Sequence, residues 1–424
     1  METLQQELMT VKDDEVKRKE VSLKFVNKLE EYQKAEFSPD PYNYLAYCLE
    51  YITPDLPKKK RICIYCGGQQ GMRWDPYSVK KGIAGSEEAV IYASKILANK
   101  GFEVSIYATP PDNSLYSVPN SNPRYIMASE FCNAKDFEIM IVWRSQMLNE
   151  NVFNKAKYVY YWLHDMGMPD RPFMLPRNVN GVYFLSDYHR TTFPQLNNFS
   201  YCVAGNGIQL EHFSPYIGCT RDKHKCIYAS NYGRGLLILL YIWEDVRKAI
   251  PTATLDIYYG RDTFGVMEPK ALQDIIRIID SLKDKGVREM GKVGHEELAR
   301  AMSQASVWAY PCNNYAETFC ITATKAQAAG MISVCSGNGA LSETVDDESS
   351  FIVDGDYAKG ETILKYKNTL IDVLKNIDKY NSLGYRDKAR KFASHYTWDY
   401  VVNCWMTLHE RIIEAQQQML NQQL

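Results

Sequence analysis

The stretch from Ala309 to Gly330 (AYPCNNYAETFCITATKAQAAG) sets a carboxylate where a helix is expected to begin. Ser306–Tyr310 has the β-branched and aromatic content of a buried strand, and Pro311 ends it. Asn313 and Asn314 suit a loop, Thr318 is a candidate N-cap, and the alanine-rich run to Ala329 favours helix. Gly330 stands where a left-handed residue closes such a helix. Glu317 therefore sits at the lip of a helix N-terminus. It either complements the helix dipole or takes neutral hydroxyls of an anionic ligand held by the free amides beside it. Arg234-Gly235 occupies a matching place between a strand and a helix, where a guanidinium fork can grip a diphosphate or simply face solvent. His164-Asp165 follows the strand-like KYVYYWL, at the end where open α/β sheets place ligands; a loop histidine bonded to backbone is the other reading. Gly82 and Gly85 bracket a turn directly before a helix, so backbone N–H groups there can approach a phosphate or a sugar oxygen, and a plain turn accounts for the pair as well.

The elements that must hold these residues alternate twice between strand and helix. RICIYC (61–66) is followed by a glycine-bearing loop, a helix begun at Ser86 with Glu87 and Glu88 in its first turn, Gly101, and the strand FEVSIYA. Strands then read at 137–143, 157–163 and 181–186. After a turn-rich crossing, AGNGIQLEHFSP (204–215), a second alternation starts. CIYAS, a helix from Leu236 stopped by Pro251, TLDIYYG, helix 269–284, VREM, helix 295–304, SVWAY, the helix after Glu317 and MISVC follow in order. Helical patterns return from Glu361, and Trp398, Tyr400, Val401, Trp405, Leu408 and Ile412 stripe the last helix. The fold class is therefore α/β, with two doubly wound domains and a ligand cleft expected between them. The expected divisions are a helical extension and linker at 1–58, a first domain at 59–215, a second at 216–395, and a C-terminal helix at 396–424 packing back on the first.

Composition removes other classes. At 424 residues with a formal charge of −2, the chain has no global basic signature, so nucleic acid is not the expected partner. No apolar run is long enough to span a bilayer, and METLQQELMT lacks the core of a signal peptide. Eleven scattered cysteines read as free thiols of a reducing compartment, so a cytoplasmic location is expected, and Cys63-Cys66 lies in a strand without a second metal-spaced pair. Gly67, Gly68 and Gly71 do not make GxGxxG, and Thr109-Pro110-Pro111 replaces the ribose-binding acid of a dinucleotide site.

Four segments together resemble the retaining glycosyltransferases of the GT-B fold, of the family 4 type that includes sucrose synthases. They are KGIAGSEEAVIYASKILANKGFEVSIYA, GNGIQLEHFSP, YASNYGRGLLILLYIWEDVRKAIPTATLDIYYG and AETFCITATKAQAAG, spread over about residues 60–410. The resemblance implies two Rossmann-like domains facing a central cleft, the first on the acceptor side and the second binding a nucleotide-sugar donor. It gives Arg234 the donor diphosphate and makes Glu317 the first acid of an E-x7-E motif that contacts the donor sugar. It places the amides of Phe319, Cys320 and Ile321, with Thr318, on sugar and phosphate. Gly85 then approaches the scissile phosphate, His164 faces the transferred sugar with Asp165 beside it, and Lys292 and Val293, after Gly291, receive the nucleobase.

Two positions depart from the family pattern. Lys325 replaces the second acid, which in the family grips ribose, and a lysine cannot accept hydrogen bonds from hydroxyls. Tyr228 replaces a frequent arginine six residues before Arg234. The expected activity is transfer of a sugar from a nucleotide-diphosphate donor to a hydroxyl of a glycan, lipid or glycoprotein, with retention and without metal or other cofactor. A catalytically impaired GT-B scaffold or nucleotide-binding protein, and a sugar-nucleotide epimerase, are the alternatives. Residues 1–57 are the expected interface of any oligomer, and a lipid acceptor would add peripheral membrane contact.

Overall fold

The computed structural model describes residues 17, 20–21, 59–68, 72–144, 154–167, 173–176, 178–261, 268–313 and 315–422. The extension and oligomer interface expected before residue 58 fall almost wholly outside them.

The first alternation gives β1 (Arg61–Tyr65), α1 (Gly85–Asn99), β2 (Glu103–Ala108), β3 (Arg124–Met127), β4 (Phe137–Trp143), β5 (Ala156–Trp162), β6 (Gly181–Phe184), α2 (Asp187–Thr191) and β7 (Tyr201–Val203). Among the described residues these strands form one sheet in the order β3-β2-β1-β4-β5-β6-β7, and β1–β2, β1–β4, β2–β3, β4–β5 and β6–β7 pair in parallel. The second alternation gives β8 (Lys225–Ala229), α3 (Leu236–Ala249), β9 (Thr254–Tyr258), α4 (Pro269–Ser281), β10 (Val287–Gly291), α5 (His295–Ser303), β11 (Val307–Tyr310), α6 (Ile321–Ala328), β12 (Ile332–Cys335), α7 (Leu341–Thr344) and β13 (Ser350–Ile352). Its strands order as β10-β9-β8-β11-β12-β13, again in parallel. Four helices close the chain: α8 (Gly360–Lys375), α9 (Ile377–Ser382), α10 (Tyr385–Ala393) and α11 (Trp398–Gln422).

These are two Rossmann-like parallel-sheet domains, as the double alternation predicts. Each sheet runs outward from its first strand, returns, and continues on the other side, so strand order reverses at β1/β4 and again at β8/β11. At such a reversal the loops leaving adjacent strands diverge to opposite faces and leave a crevice at the carboxyl ends. Central strands buried on both faces read as continuous apolar runs, which is why β4, β5 and β11 were legible. The short strands β3, β7 and β13 are not legible in the sequence, because at the sheet edges they are only partly buried and lack the continuous apolar run of a central strand.

By compactness the chain divides into one unit of Val90–Trp162 and Leu175–Asn180 with the described part of Met1–Tyr77, and another of Ser78–Ala89, Leu163–Met174 and Gly181–Leu424. In the first unit, Asn122 brackets β2 from its side chain, accepting from Val104 N at 2.8 Å and donating to Phe102 O at 2.8 Å. Asp75 fixes the loop beyond Thr109, accepting from Ser114 Oγ at 2.6 Å. Burial pushes the Cys63 thiol up, which suits an inert core thiol rather than a metal ligand. The ten described cysteines are free thiols, and among the described residues no helix is long and apolar enough to cross a membrane.

In the second unit, Glu343 of α7 accepts from the backbone N–H groups of Asp187 (2.8 Å) and Tyr188 (2.6 Å), supplying acceptors that the start of α2 lacks. Thr397 caps α11 by accepting from Tyr400 N at 3.2 Å. The stripe on α11 is buried at Trp398, Val401, Trp405 and Leu408, but Tyr400 points outward at 53% exposure. Position 400 lies two residues after Trp398 and one before Val401, so it falls off the face those residues share. The Trp405 ring stacks on Tyr183 of β6 with centroids 4.8 Å apart and planes 4° apart. Trp405→Ala is expected to destabilise this unit by about 3–5 kcal/mol, through lost burial and the cavity left behind. The check is the shift in urea unfolding midpoint followed by tryptophan fluorescence; a midpoint unchanged from the parent would contradict it.

Candidate functional site

Arg234 and Glu317 meet at the reversal point of the second sheet. Arg234 leaves the carboxyl end of β8 and Glu317 the carboxyl end of β11, neighbouring strands in the ladder. The Arg234 Nη1 donates to Glu317 Oε1 at 3.0 Å and reaches Oε2 at 3.3 Å. The guanidinium lies over the Tyr315 ring, 3.9 Å from its centroid. Burial alone would lower the Arg234 pKa, but the Glu317 carboxylate beside it outweighs that and drives the pKa up, so the cation is permanent. Glu317 is 4% exposed, and its Oε1 also accepts from Tyr310 Oη at 2.5 Å.

Backbone constraints fix both residues. Gly235 heads α3 at φ 94°, and a Cβ there would strike the Pro311 carbonyl. Glu317 O accepts from Ala340 N at 2.7 Å, and Gly339, at φ 68°, lies so close to the Glu317 backbone that a side chain would collide with it. Tyr228, which stands in place of the frequent arginine, is fully buried and donates its hydroxyl to Asn231 O at 2.6 Å. It shapes the loop leading to Arg234 and carries no charge toward it.

The helix after Glu317 begins later than its sequence suggests. α6 starts at Ile321, and Cys320 precedes it in the left-handed region at φ 68°. Thr318 is not its N-cap, because its Oγ1 donates instead to His164 O at 3.0 Å. Its own carbonyl accepts from Ser186 Oγ at 2.8 Å, and that hydroxyl accepts from His189 N in turn. Phe319 is buried, its ring so close to Gly205 that a Cβ at 205 would press on it. Thus the crossing glycine, the His164 backbone and the Thr318–Ile321 turn are assembled in one unit, with the first amides of α6 lacking intrahelical acceptors. Ser86 falls inside the first turn of α1 rather than capping it, because α1 begins at Gly85. Gly85 approaches the Ile321 side chain closely, and Gly82, at φ 89°, approaches the Val293 carbonyl and the Lys292 stem.

Lys325 is held apart from Glu317. Its Nζ donates to Glu88 Oε2 at 2.7 Å, while His295 Nδ1 lies 3.5 Å from Glu88 Oε1. Glu88 and His295 are 2% and 6% exposed, so this is an ion pair taken out of water. Burial raises the Glu88 carboxyl, but His295, charged only once it protonates in acid, and the Lys325 ammonium outweigh it and hold the group below its ordinary range. Burial drives His295 down to about 4 despite Glu88, so the imidazole is neutral at pH 7. The sequence marks Glu88 only as an acid suited to a helix start and places Tyr310, Tyr315 and His295 only in a strand, a loop and a helix; nothing in their spacing announces these contacts. Lys325→Met would strand the Glu88 carboxylate and is expected to cost about 3–5 kcal/mol, as breaking one side of a buried pair does. Unfolding in urea checks it: Glu88→Gln with Lys325→Met should recover a large part of the loss, and additive losses would show that the pair is not coupled.

Comparisons with known proteins agree with this architecture. Residues 223–368, which contain both Arg234 and Glu317, match the family model described as Glycosyl transferases group 1. No curated protein matches the chain. Among solved structures, a sucrose-phosphate synthase from Thermosynechococcus elongatus superposes with a TM-score of 0.63 at 16% identity, covering 84% of this chain and 100% of that one. Anabaena HepE in complex with UDP and glucose gives 0.60 at 16%, covering 85% and 100%. AviGT4, a glycosyltransferase involved in avilamycin A biosynthesis, gives 0.59 at 14%, covering 84% and 98%. The chain therefore has the GT-B fold, and its segment 223–368 is similar to the glycosyl transferases group 1 family.

Proposed function

We propose that the protein is a retaining glycosyltransferase that moves a sugar from a nucleotide-diphosphate donor to an acceptor hydroxyl without a metal ion. The observation that carries this reading is the Arg234–Glu317 pair at the reversal point of the second sheet, 3.0 Å apart and inside the matched domain. A permanent cation and a carboxylate side by side suit a ligand that is anionic at one end and hydroxylated at the other. The neighbour HepE, whose structures contain UDP and UDP-glucose, supports a donor of that chemistry.

Departure of a nucleoside diphosphate builds negative charge on the bridging oxygen. A preorganised guanidinium and helix-terminal amides can stabilise that charge without reorganising solvent, which lowers the barrier. Arg234 spends Nη1 on Glu317, and a guanidinium has five N–H donors, so the fork keeps donors for phosphate oxygens. The amides of Phe319, Cys320 and Ile321 would add partial positive charge at the start of α6. Glu317 would accept from the sugar hydroxyls, and His164, tied to the same turn through Thr318, would face the transferred sugar. Gly85 would let the α1 backbone approach the diphosphate, and Lys292 and Val293, at the end of β10, would receive the base. Lys325, already paired with Glu88, offers no carboxylate to ribose, so the nucleotide grip would rest on the other contacts. Glycan, lipid or glycoprotein hydroxyls are the proposed acceptors, and a cytoplasmic setting suits a nucleotide-sugar donor.

Nucleotide release from a panel of nucleotide sugars, with and without acceptor, tests the activity. Arg234→Ala and Glu317→Ala are each expected to lower transfer on the order of 10²–10³-fold at saturating donor; unchanged transfer in both variants would refute the site. Transfer should also persist in EDTA, and NMR of the product should show the donor's anomeric configuration. Loss of activity on chelation that a divalent ion restores would refute metal independence, and an inverted product would refute retention.

A further inference from the structure

Tyr310 closes β11 and is fully buried, with its ring stacked on Trp308 at 4.9 Å between centroids. Its hydroxyl lies 2.5 Å from Glu317 Oε1 and 3.3 Å from Ser230 Oγ, just past the end of β8. A phenol that donates to Glu317 can accept from Ser230, so one hydroxyl ties the carboxylate to both strands of the reversal point.

The two oxygens of Glu317 are then unequal. Oε1 receives the Tyr310 hydroxyl at 2.5 Å and Arg234 Nη1 at 3.0 Å. Among the described residues, Oε2 has a single long contact, 3.3 Å to the same Nη1. A carboxylate offers about four acceptor positions; the vacant ones are therefore concentrated on Oε2. Burial raises the Tyr310 pKa well above its ordinary value, which keeps the phenol a donor through neutral and mildly alkaline pH.

We propose that Tyr310 is a positioning residue: by holding Oε1 it fixes the rotamer of Glu317 and turns Oε2 to the donor sugar's hydroxyl. This rests on the sugar-binding role proposed for Glu317. Without the phenol, Glu317 keeps its charge partner and loses its orientation, so the defect should appear in turnover more than in donor capture. Tyr310→Phe preserves the ring and its stack on Trp308, so its effect isolates the hydroxyl.

The test uses the full chain and a nucleotide sugar that the parent turns over. Tyr310→Phe should lower kcat on the order of 10- to 100-fold, the range for a hydrogen bond to a charged group. The donor KM should stay within about threefold, since uniform binding is not what is removed. In a Glu317→Gln background the same change should cost less than about twofold further, because the residue being positioned has already lost its function. Wild-type kcat in Tyr310→Phe, or losses that multiply between the two variants, would overturn the role of Tyr310. A parent protein that transfers sugar from no donor would instead overturn the activity itself, and this inference with it.

Discussion

Glu317 is a carboxylate in a place that water scarcely reaches, and the surrounding architecture answers that constraint. A buried charge is tolerable only when it is paired and hydrogen-bonded. Arg234 supplies the opposite charge, Tyr310 a short hydrogen bond, and the Ala340 amide holds the backbone in place. These partners come from the loop after β8, the end of β11 and the turn beyond β12. They converge because parallel strands deliver their carboxyl ends to one edge, and because the order of the second sheet reverses between β8 and β11. Gly235 and Gly339 permit the close approaches, each in a backbone conformation that a side chain would strain.

A second buried carboxylate, Glu88, follows the same rule with different partners. Lys325 neutralises it and His295 stays uncharged beside it, so the cluster is closed upon itself. The two centres differ in how much capacity they leave over. Among the described residues, the guanidinium beside Glu317 retains donors and one carboxylate oxygen retains acceptor sites. Around Glu88, one carboxylate oxygen receives the ammonium group and the other faces the imidazole. By this criterion the Glu317 centre is suited to a ligand and the Glu88 centre to joining α6 to the start of α1. Both lie in one compact unit.

The amino-acid sequence by itself determined the class of fold and the candidate pair. Two runs of alternating strand and helix specify two parallel sheets, because strand and helix periods are local properties of the chain. Strand ends and glycines located Arg234 and Glu317 for the same reason. Tertiary structure decided what no period encodes. It gave Thr318 to the His164 carbonyl rather than to its own helix, turned Tyr400 outward, and moved the start of α6 to Ile321 behind a left-handed Cys320. It also paired Lys325 with Glu88, 237 residues away, and set Tyr310 against Glu317. A side chain's partner is chosen by which buried charge most needs one, and that is defined only once the strands have brought their ends together.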